Sequence, residues 1–356
     1  MKTDVVHIIG ARPNIPKFIP LHRILESNGY RQTVIHTGQH YSSELTTQIF
    51  KDLGFNPSRI KANLNIGSGS HSSQVSRIIG ALEAKLISIK PSLVVVYGDV
   101  NSSLAAAIAT KHLGLHLVHI ESGLRSFDTE MIEEFNRVLI DHSSDYLFCT
   151  LMSSVLNLKN EGISSKKVFL VGNTMIDSIK YVQNKFDLNK IAAKLVGNNS
   201  KYVFLTLHRP SNTENPKRWL SVKKAINNLN KEILVVVSAH PRSKSLFEDI
   251  KYIKVLNSPG YKESISLQNS AEFVVTDSGG LQEETTFLKV PCLTLRKNTE
   301  RPETVKIGTN KLIEPEDLTN YQYLLNSIKK RDPKKLIKFW DGNAALRVAN
   351  QLSNLT

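Results

Sequence analysis

Carboxylates stand where acid–base chemistry would need them. Asp99 follows the apolar run Leu93–Tyr97 after one glycine, and Glu121 directly follows the run at 117–120. Glu133 and Glu134 open a helical pattern ahead of Asn136 and Arg137, and His208 follows the run at 202–207. Open α/β sheets bind ligands beyond the carboxyl ends of their strands, so acids at these points offer proton transfer to a bound substrate. Asp277-Ser278-Gly279-Gly280, set between the run at 273–276 and a helical pattern over 281–288, is the sharpest signal. Glycines let the backbone approach closely, and the free amides of a helix start favour an anion, so a diphosphate fits there. Glu284, one turn into that helix, lies at the depth of ribose hydroxyls, while Arg12 and Arg301 offer charge to phosphate. Taken singly, each feature has an ordinary explanation. A serine cap with two glycines is common, and two acids suit any helix start.

The elements that must hold these groups are legible as an alternation. Short β-branched runs at 5–9, 33–36, 93–97, 117–120, 146–149 and 168–171 alternate with helical patterns such as 74–89 and 103–113. A second set begins at 202–207 and continues at 233–238, 253–255, 273–276 and 292–295. This predicts an α/β chain with parallel sheets in two Rossmann-like domains facing a cleft, and 356 residues suit two cores better than one. The seam is expected near 172–176, giving domains at 1–172 and 173–339. Polar clusters follow seven of the runs, at 10–14, 38–40, 98–101, 121–125, 208–210, 240–242 and 277–280. So many at one kind of position favour an enzyme over a set of turns.

Composition narrows the class. Apolar residues at 40% and charged residues at 22% suit a globular chain. No apolar run approaches the ~20 residues of a membrane span, and no secretory leader is recognisable, so a cytoplasmic protein without membrane insertion is expected. Cys149 and Cys292 have no metal or redox spacing, and no histidine cluster suggests a metal. The net charge of +14 is scattered without interleaved aromatics, which argues against nucleic acid and for a phosphate-bearing substrate. No G-x-x-x-x-G-K-[ST] occurs, and no G-x-G-x-x-G follows the first run, which disfavours ATP hydrolysis and dinucleotide redox chemistry.

Read in order, the motifs make a larger pattern. Gly10-Ala11-Arg12-Pro13, Thr37-Gly38-Gln39-His40, Gly98-Asp99 and His119-Ile120-Glu121-Ser122-Gly123-Leu124-Arg125 lie in the first half. Glu133-Glu134-Phe135-Asn136-Arg137, Gly172-Asn173-Thr174, Leu207-His208-Arg209, Asp277-Ser278-Gly279-Gly280 and Thr299-Glu300-Arg301-Pro302-Glu303 follow. From near its first residue to about Leu312 the chain resembles the non-hydrolysing UDP-N-acetylglucosamine 2-epimerases. The resemblance implies a glycosyltransferase-B-type fold whose C-terminal helix, here 340–356, returns to the first domain. It also implies a dimer, and a reaction that needs no metal or other cofactor.

By position, the resemblance places Arg12, Lys17, Ser278, Gly279, Gly280, Glu284 and Arg301 around UDP, and Asp99, Glu121, Glu133 and His208 around the sugar. The implied chemistry is anti elimination of UDP to 2-acetamidoglucal followed by readdition, with the order of proton transfers among the acids left open. A hydrolysing epimerase that releases N-acetylmannosamine shares the first step. A uronic acid or di-N-acetylated UDP-sugar is a third option, since no residue names the groups on carbons 3 and 6. The family carries Pro where Ile132 stands, many members carry Glu at Asn14, and others carry a second Arg at Pro210. Gln39 and His240 match a regulatory second-substrate site of the family, but Ser42, Ser73 and Pro210 replace longer amide or guanidinium side chains there, so strong substrate activation of the reverse reaction is not expected.

Overall fold

The computed structural model describes residues 4–39, 43–198, 201–239, 244–329 and 337–355. The chain forms two compact units, the first from Met1–Tyr181 with Lys338–Thr356 and the second from Val182–Ile337.

Unit 1 is built on seven parallel strands: β1 (Asp4–Ile9), β2 (Arg31–His36), β3 (Ile60–Asn63), β4 (Leu93–Tyr97), β5 (His116–Ser122), β6 (Tyr146–Cys149) and β7 (Val168–Leu170). Their order is β3-β2-β1-β4-β5-β6-β7, so the direction of winding reverses between β1 and β4. β4 is buried along its whole length, as a Val-rich strand with helices on both faces must be. One face, with Val94 and Val96, packs against Ile78, Leu82 and Leu86 of the His71–Ile89 helix and against the alanine-rich Asn101–His112 helix, while Tyr97 on the other face meets Phe18.

Unit 2 repeats the plan with β8 (Tyr202–Thr206), β9 (Leu234–Ala239), β10 (Lys254–Asn257), β11 (Phe273–Thr276), β12 (Cys292–Thr294) and β13 (Asn310–Leu312). The order is β10-β9-β8-β11-β12-β13, again all parallel, with its reversal between β8 and β11. In each sheet the reversal opens a crevice at the carboxyl ends of two central strands, the usual ligand position in such sheets. The fold is thus α/β with two Rossmann-like units, of the glycosyltransferase-B type.

Two strands, β3 and β13, carry no sequence signal. Both are short edge strands with a single neighbour; Lys61 and Asn63 of β3 face water and β13 is only three residues long, opening on a buried polar Asn310, so neither has the apolar run that marks a central strand. β5 also runs past its predicted end. It includes Glu121 and Ser122, and the register with β6 shifts between Ile120 and Ser122.

The C-terminal helix Ala344–Leu355 packs on the Ile15–Ser27 helix of unit 1. Asp177 caps it by accepting from the backbone N–H of Ala344 and Ala345 at 3.1 and 2.7 Å. Trp340 donates from Nε1 to the carbonyl of Thr150 at 3.0 Å. Gly172, at φ +87°, lets the Phe339 carbonyl approach so closely that a Cβ there would collide with it.

Candidate active site

In unit 1 the crevice begins with the turn after β1. Gly10 has no room for a side chain, because Ser102 and Thr37 fill the space a Cβ would need. Asn14 then ties the two strands of the reversal together. Its Oδ1 accepts from the N–H groups of Gly10 and Ala11, and its Nδ2 donates to the Tyr97 carbonyl at 2.7 Å. Between these anchors Arg12 is half-buried and makes no ion pair with a described residue, and burial pulls its guanidinium pKa below the ordinary value. A desolvated cation of this kind suits an anionic ligand.

Asp99 and Glu121 come from adjacent strand ends. Asp99 sits just past β4 and receives two hydrogen bonds from Arg137. Arg137 belongs to the Ile132–Ser143 helix, whose Asn136 also donates to the Asp99 carbonyl at 2.9 Å. Glu121 lies in the β5 bulge at φ +72°, an uncommon conformation for a residue with a side chain. It is buried and ion-paired with Lys17, which projects from the Ile15–Ser27 helix. Gly98 separates the two acids: a Cβ there would lie 3.4 Å from Glu121 Oε2 and 3.3 Å from Lys17 Nζ. The sequence resemblance put Lys17 beside UDP; in the structure its ammonium is on Glu121.

The Glu133-Glu134 pair divides its labour. Glu134 is buried and accepts from Ser126 N, Ser126 Oγ, Phe127 N and Arg137 Nη1, so it holds a loop. Glu133 is exposed at the helix start. Gln39 is buried, and its Oε1 accepts from Ser102 N at 3.0 Å and Ser102 Oγ at 2.6 Å, tying the end of β2 to the Asn101–His112 helix. His240 and Ser42 lie outside the described residues.

Unit 2 builds its crevice on Asp277. This fully buried carboxylate accepts from the backbone N–H of His208 at 3.2 Å and of Arg209 at 2.9 Å, and from Asn212 Nδ2 at 3.1 Å. Burial by itself raises its pKa. The hydrogen bond and charge of His208, with the other donors, outweigh that and hold it below the usual carboxylate range. Its Oδ1 is also 3.1 Å from Nδ1 of His208, whose ring is otherwise exposed, so Asp277 aims that imidazole.

Ser278 caps the Gly279–Leu288 helix without a side-chain bond to its amides, which leaves the first-turn N–H groups for an anion. Gly279 is required here: a Cβ would come within 2.5 Å of Arg301 Nη1 and 2.7 Å of Glu300 Oε1. Arg301 is buried and held by Glu283 and Glu300, the latter also bound by Arg296. Glu284 is buried and accepts from Gln268 Nε2 at 2.6 Å. Gly280 is open, with only Ser278 Oγ near the position of a Cβ.

Sequence reasoning missed the groups that hold the acids. Asn14, Arg137, His119 and Asp141 sit inside recognised motifs or helices, but only the folded chain shows what they bind. Among the described residues no group of three or more His, Cys, Asp and Glu side chains is placed to hold a metal ion. No described helix is long and apolar enough to cross a membrane.

Comparison with known proteins shows the family. The sequence model of the family described as UDP-N-acetylglucosamine 2-epimerase matches residues 22–353. The UDP-N-acetylglucosamine 2-epimerase of Methanococcus maripaludis is 40% identical over 96% of both chains. A UDP-2,3-diacetamido-2,3-dideoxy-D-glucuronate 2-epimerase of Pseudomonas aeruginosa is 34% identical over 99% of both. The crystal structure of the Methanocaldococcus jannaschii UDP-GlcNAc 2-epimerase, in complex with UDP-GlcNAc and UDP, is 36% identical, covers 99% of both chains and superposes with a TM-score of 0.89.

Proposed function

The chain belongs to the UDP-N-acetylglucosamine 2-epimerase family, and from that membership we propose that it interconverts UDP-N-acetylglucosamine and UDP-N-acetylmannosamine without net hydrolysis. One observation supports the reading above the others. Two carboxylates from neighbouring strand ends, Asp99 and Glu121, flank Gly98, and each is held by its own cation.

In the proposed reaction a carboxylate of unit 1 removes the proton on carbon 2. The electron pair of the broken C–H bond forms the double bond between carbons 1 and 2, and UDP departs with the electron pair of the broken bond from carbon 1 to the diphosphate oxygen. Readdition reverses both events with the proton delivered to the opposite face. Asp99, Glu121 and Glu133 are assigned to the proton transfers, and His208, aimed by Asp277, to the sugar. Arg12, Ser278, Gly279 and Gly280 are assigned to the diphosphate and Glu284 to the ribose, with Arg301 shaping the helix start beside them. Lys17, paired with Glu121, is assigned to keeping that carboxylate in place.

The test is to run the reaction in deuterated water from UDP-N-acetylglucosamine and follow both sugars by NMR. Deuterium at carbon 2 with UDP-sugar retained is the expected result. Absence of deuterium rejects the elimination, and accumulation of free sugar with UDP selects the hydrolysing reaction. The likeness to the Pseudomonas aeruginosa enzyme favours one variation, a substrate altered at carbons 3 and 6, so the same experiment belongs on a panel of UDP-sugars. A homodimer in the cytoplasm completes the proposal, with light scattering of the purified chain as the test of its oligomeric state.

A further inference from the structure

Behind the two carboxylates of unit 1 runs a buried line of charged groups that none of these roles employs. His119, on β5, is fully buried. Its Nδ1 lies 2.7 Å from Asp141 Oδ1, and its Nε2 lies 3.0 Å from the carbonyl oxygen of Gly98. Asp141, equally buried in the last turn of the Ile132–Ser143 helix, accepts through Oδ2 from Gly123 N at 3.0 Å and Arg125 Nη1 at 2.7 Å. Arg125 in turn is gripped by Glu161, at 2.7 Å from both Nε and Nη2.

Burial by itself would raise the Asp141 pKa. Against that cost, the Arg125 guanidinium and the Gly123 N–H both bind Oδ2, so Asp141 is an ionised acceptor whatever the state of the ring. The Gly98 carbonyl is an acceptor as well. A histidine donates from both ring nitrogens only as the imidazolium; a neutral ring would press a lone pair against one of these two oxygens. The doubly protonated ring also balances the line, with His119 and Arg125 set against Asp141 and Glu161.

This line ends on the two turns that carry the acids. The Gly98 peptide is fixed at both sides by consecutive residues of β5: its N–H donates to the Ile120 carbonyl at 2.9 Å, and its C=O accepts from the His119 ring. The next residues on the two strands are Asp99 and Glu121. Glu121 at φ +72° is in the left-handed region, which a residue with a side chain keeps only where its surroundings hold it.

We propose that His119, as a buried imidazolium held by Asp141, is a positioning residue for the reaction. It locks the Gly98 carbonyl and with it the turn of Asp99, while the same Asp141 carboxylate locks Gly123 and Arg125 behind the bulge of Glu121. The kinetic half of this claim rests on the epimerase reading; the state of the ring does not.

The experiment uses the full chain with 15N-labelled histidine, the His119 signals being identified by their loss in His119→Gln. Wild-type protein at neutral pH is expected to show both ring nitrogens of His119 protonated. In Asp141→Asn, whose amide donates to Nδ1, one nitrogen becomes bare while the packing is kept. Both variants are expected to lose roughly 10–100-fold in kcat, the scale of a small misplacement of reacting groups, with KM and UDP affinity changed by no more than about twofold. A bare nitrogen on His119 in the wild type overturns the proposal, as does a wild-type kcat in Asp141→Asn. A loss expressed in KM alone overturns it too. Should His119→Gln fail to fold, loss of the same signals in His119→Asn makes the assignment, and the isosteric Asp141→Asn carries the kinetics. Two protonated nitrogens in a wild-type chain that exchanges nothing at carbon 2 would strike the epimerase reading and leave the imidazolium standing.

Discussion

Arg137 donates twice to one oxygen of Asp99, from Nε at 3.0 Å and from Nη2 at 2.6 Å, and spends its Nη1 on Glu134 at 2.8 Å. The orientation of Asp99 is therefore set by the start of the Ile132–Ser143 helix, through a planar guanidinium that lysine does not reproduce.

Asp99→Asn is expected to cut turnover by at least ~100-fold, the usual scale for losing an acid–base group, and to leave UDP affinity unchanged. Steady-state kinetics beside calorimetric titration with UDP checks this. A parallel fall in UDP affinity would make Asp99 a binding residue instead.

Arg12 carries the opposite expectation. It is a half-buried cation that binds no described carboxylate, so Arg12→Met is expected to leave the melting temperature unchanged or slightly raised. UDP binding is expected to weaken by ~1.5–3 kcal/mol, the worth of a hydrogen bond to a charged group. Calorimetry and a thermal melt on the same preparation read both quantities. A strongly destabilised variant would mean that Arg12 serves the fold.

Gly279→Ala tests the helix start. The new methyl would force apart Arg301 and Glu300, which are buried and paired, and an overpacked core of this kind costs about 1–3 kcal/mol. Chemical denaturation should show that loss together with weaker UDP binding. Gly280→Ala, where the space is open, should show little of the first.

Acid should weaken unit 1 before its carboxylates titrate. His7 is fully buried between Tyr97 Oη and Gln32 Oε1, at 2.7 and 2.9 Å, and burial together with the nearby charge of His22 brings its pKa down from 6.5 to about 3. A base whose folded pKa is depressed takes up protons in the unfolded chain first. Stability is then full above pH 6.5 and declines as pH falls from there toward about 3. At pH 5 the His7 contribution to that loss is about 2 kcal/mol, from ~1.4 kcal/mol per pH unit. Urea denaturation at pH 7.5 and pH 5 checks it: His7→Asn should lose less on acidification than the wild type, whatever its starting stability.

The central strands and the C-terminal strand ends were legible because each is an apolar run closed by a polar cluster, as with Leu93–Tyr97 and Gly98-Asp99. Edge strands such as Ile60–Asn63 were not, since every second residue faces water and their composition is that of a loop. Candidate residues were legible by type and place, but their engagements were not. That Lys17 serves Glu121, that Gln39 ties Ser102, and that Arg301 sits among Glu283 and Glu300 depend on side-chain directions that spacing does not encode. Nor does the sequence announce a left-handed Glu121, because the bulge arises from pairing with β6.

The cap that Asp177 places on the Ala344–Leu355 helix has a bearing on how the protein is made. Unit 1 opens the chain, yet the segment that covers its Ile15–Ser27 helix is translated after the whole of unit 2. At 5–20 residues per second, the nascent first unit stays uncovered along that helix for about ten seconds or more. The face of that helix turned to Ala344–Leu355 is the surface that a chaperone would meet in that interval.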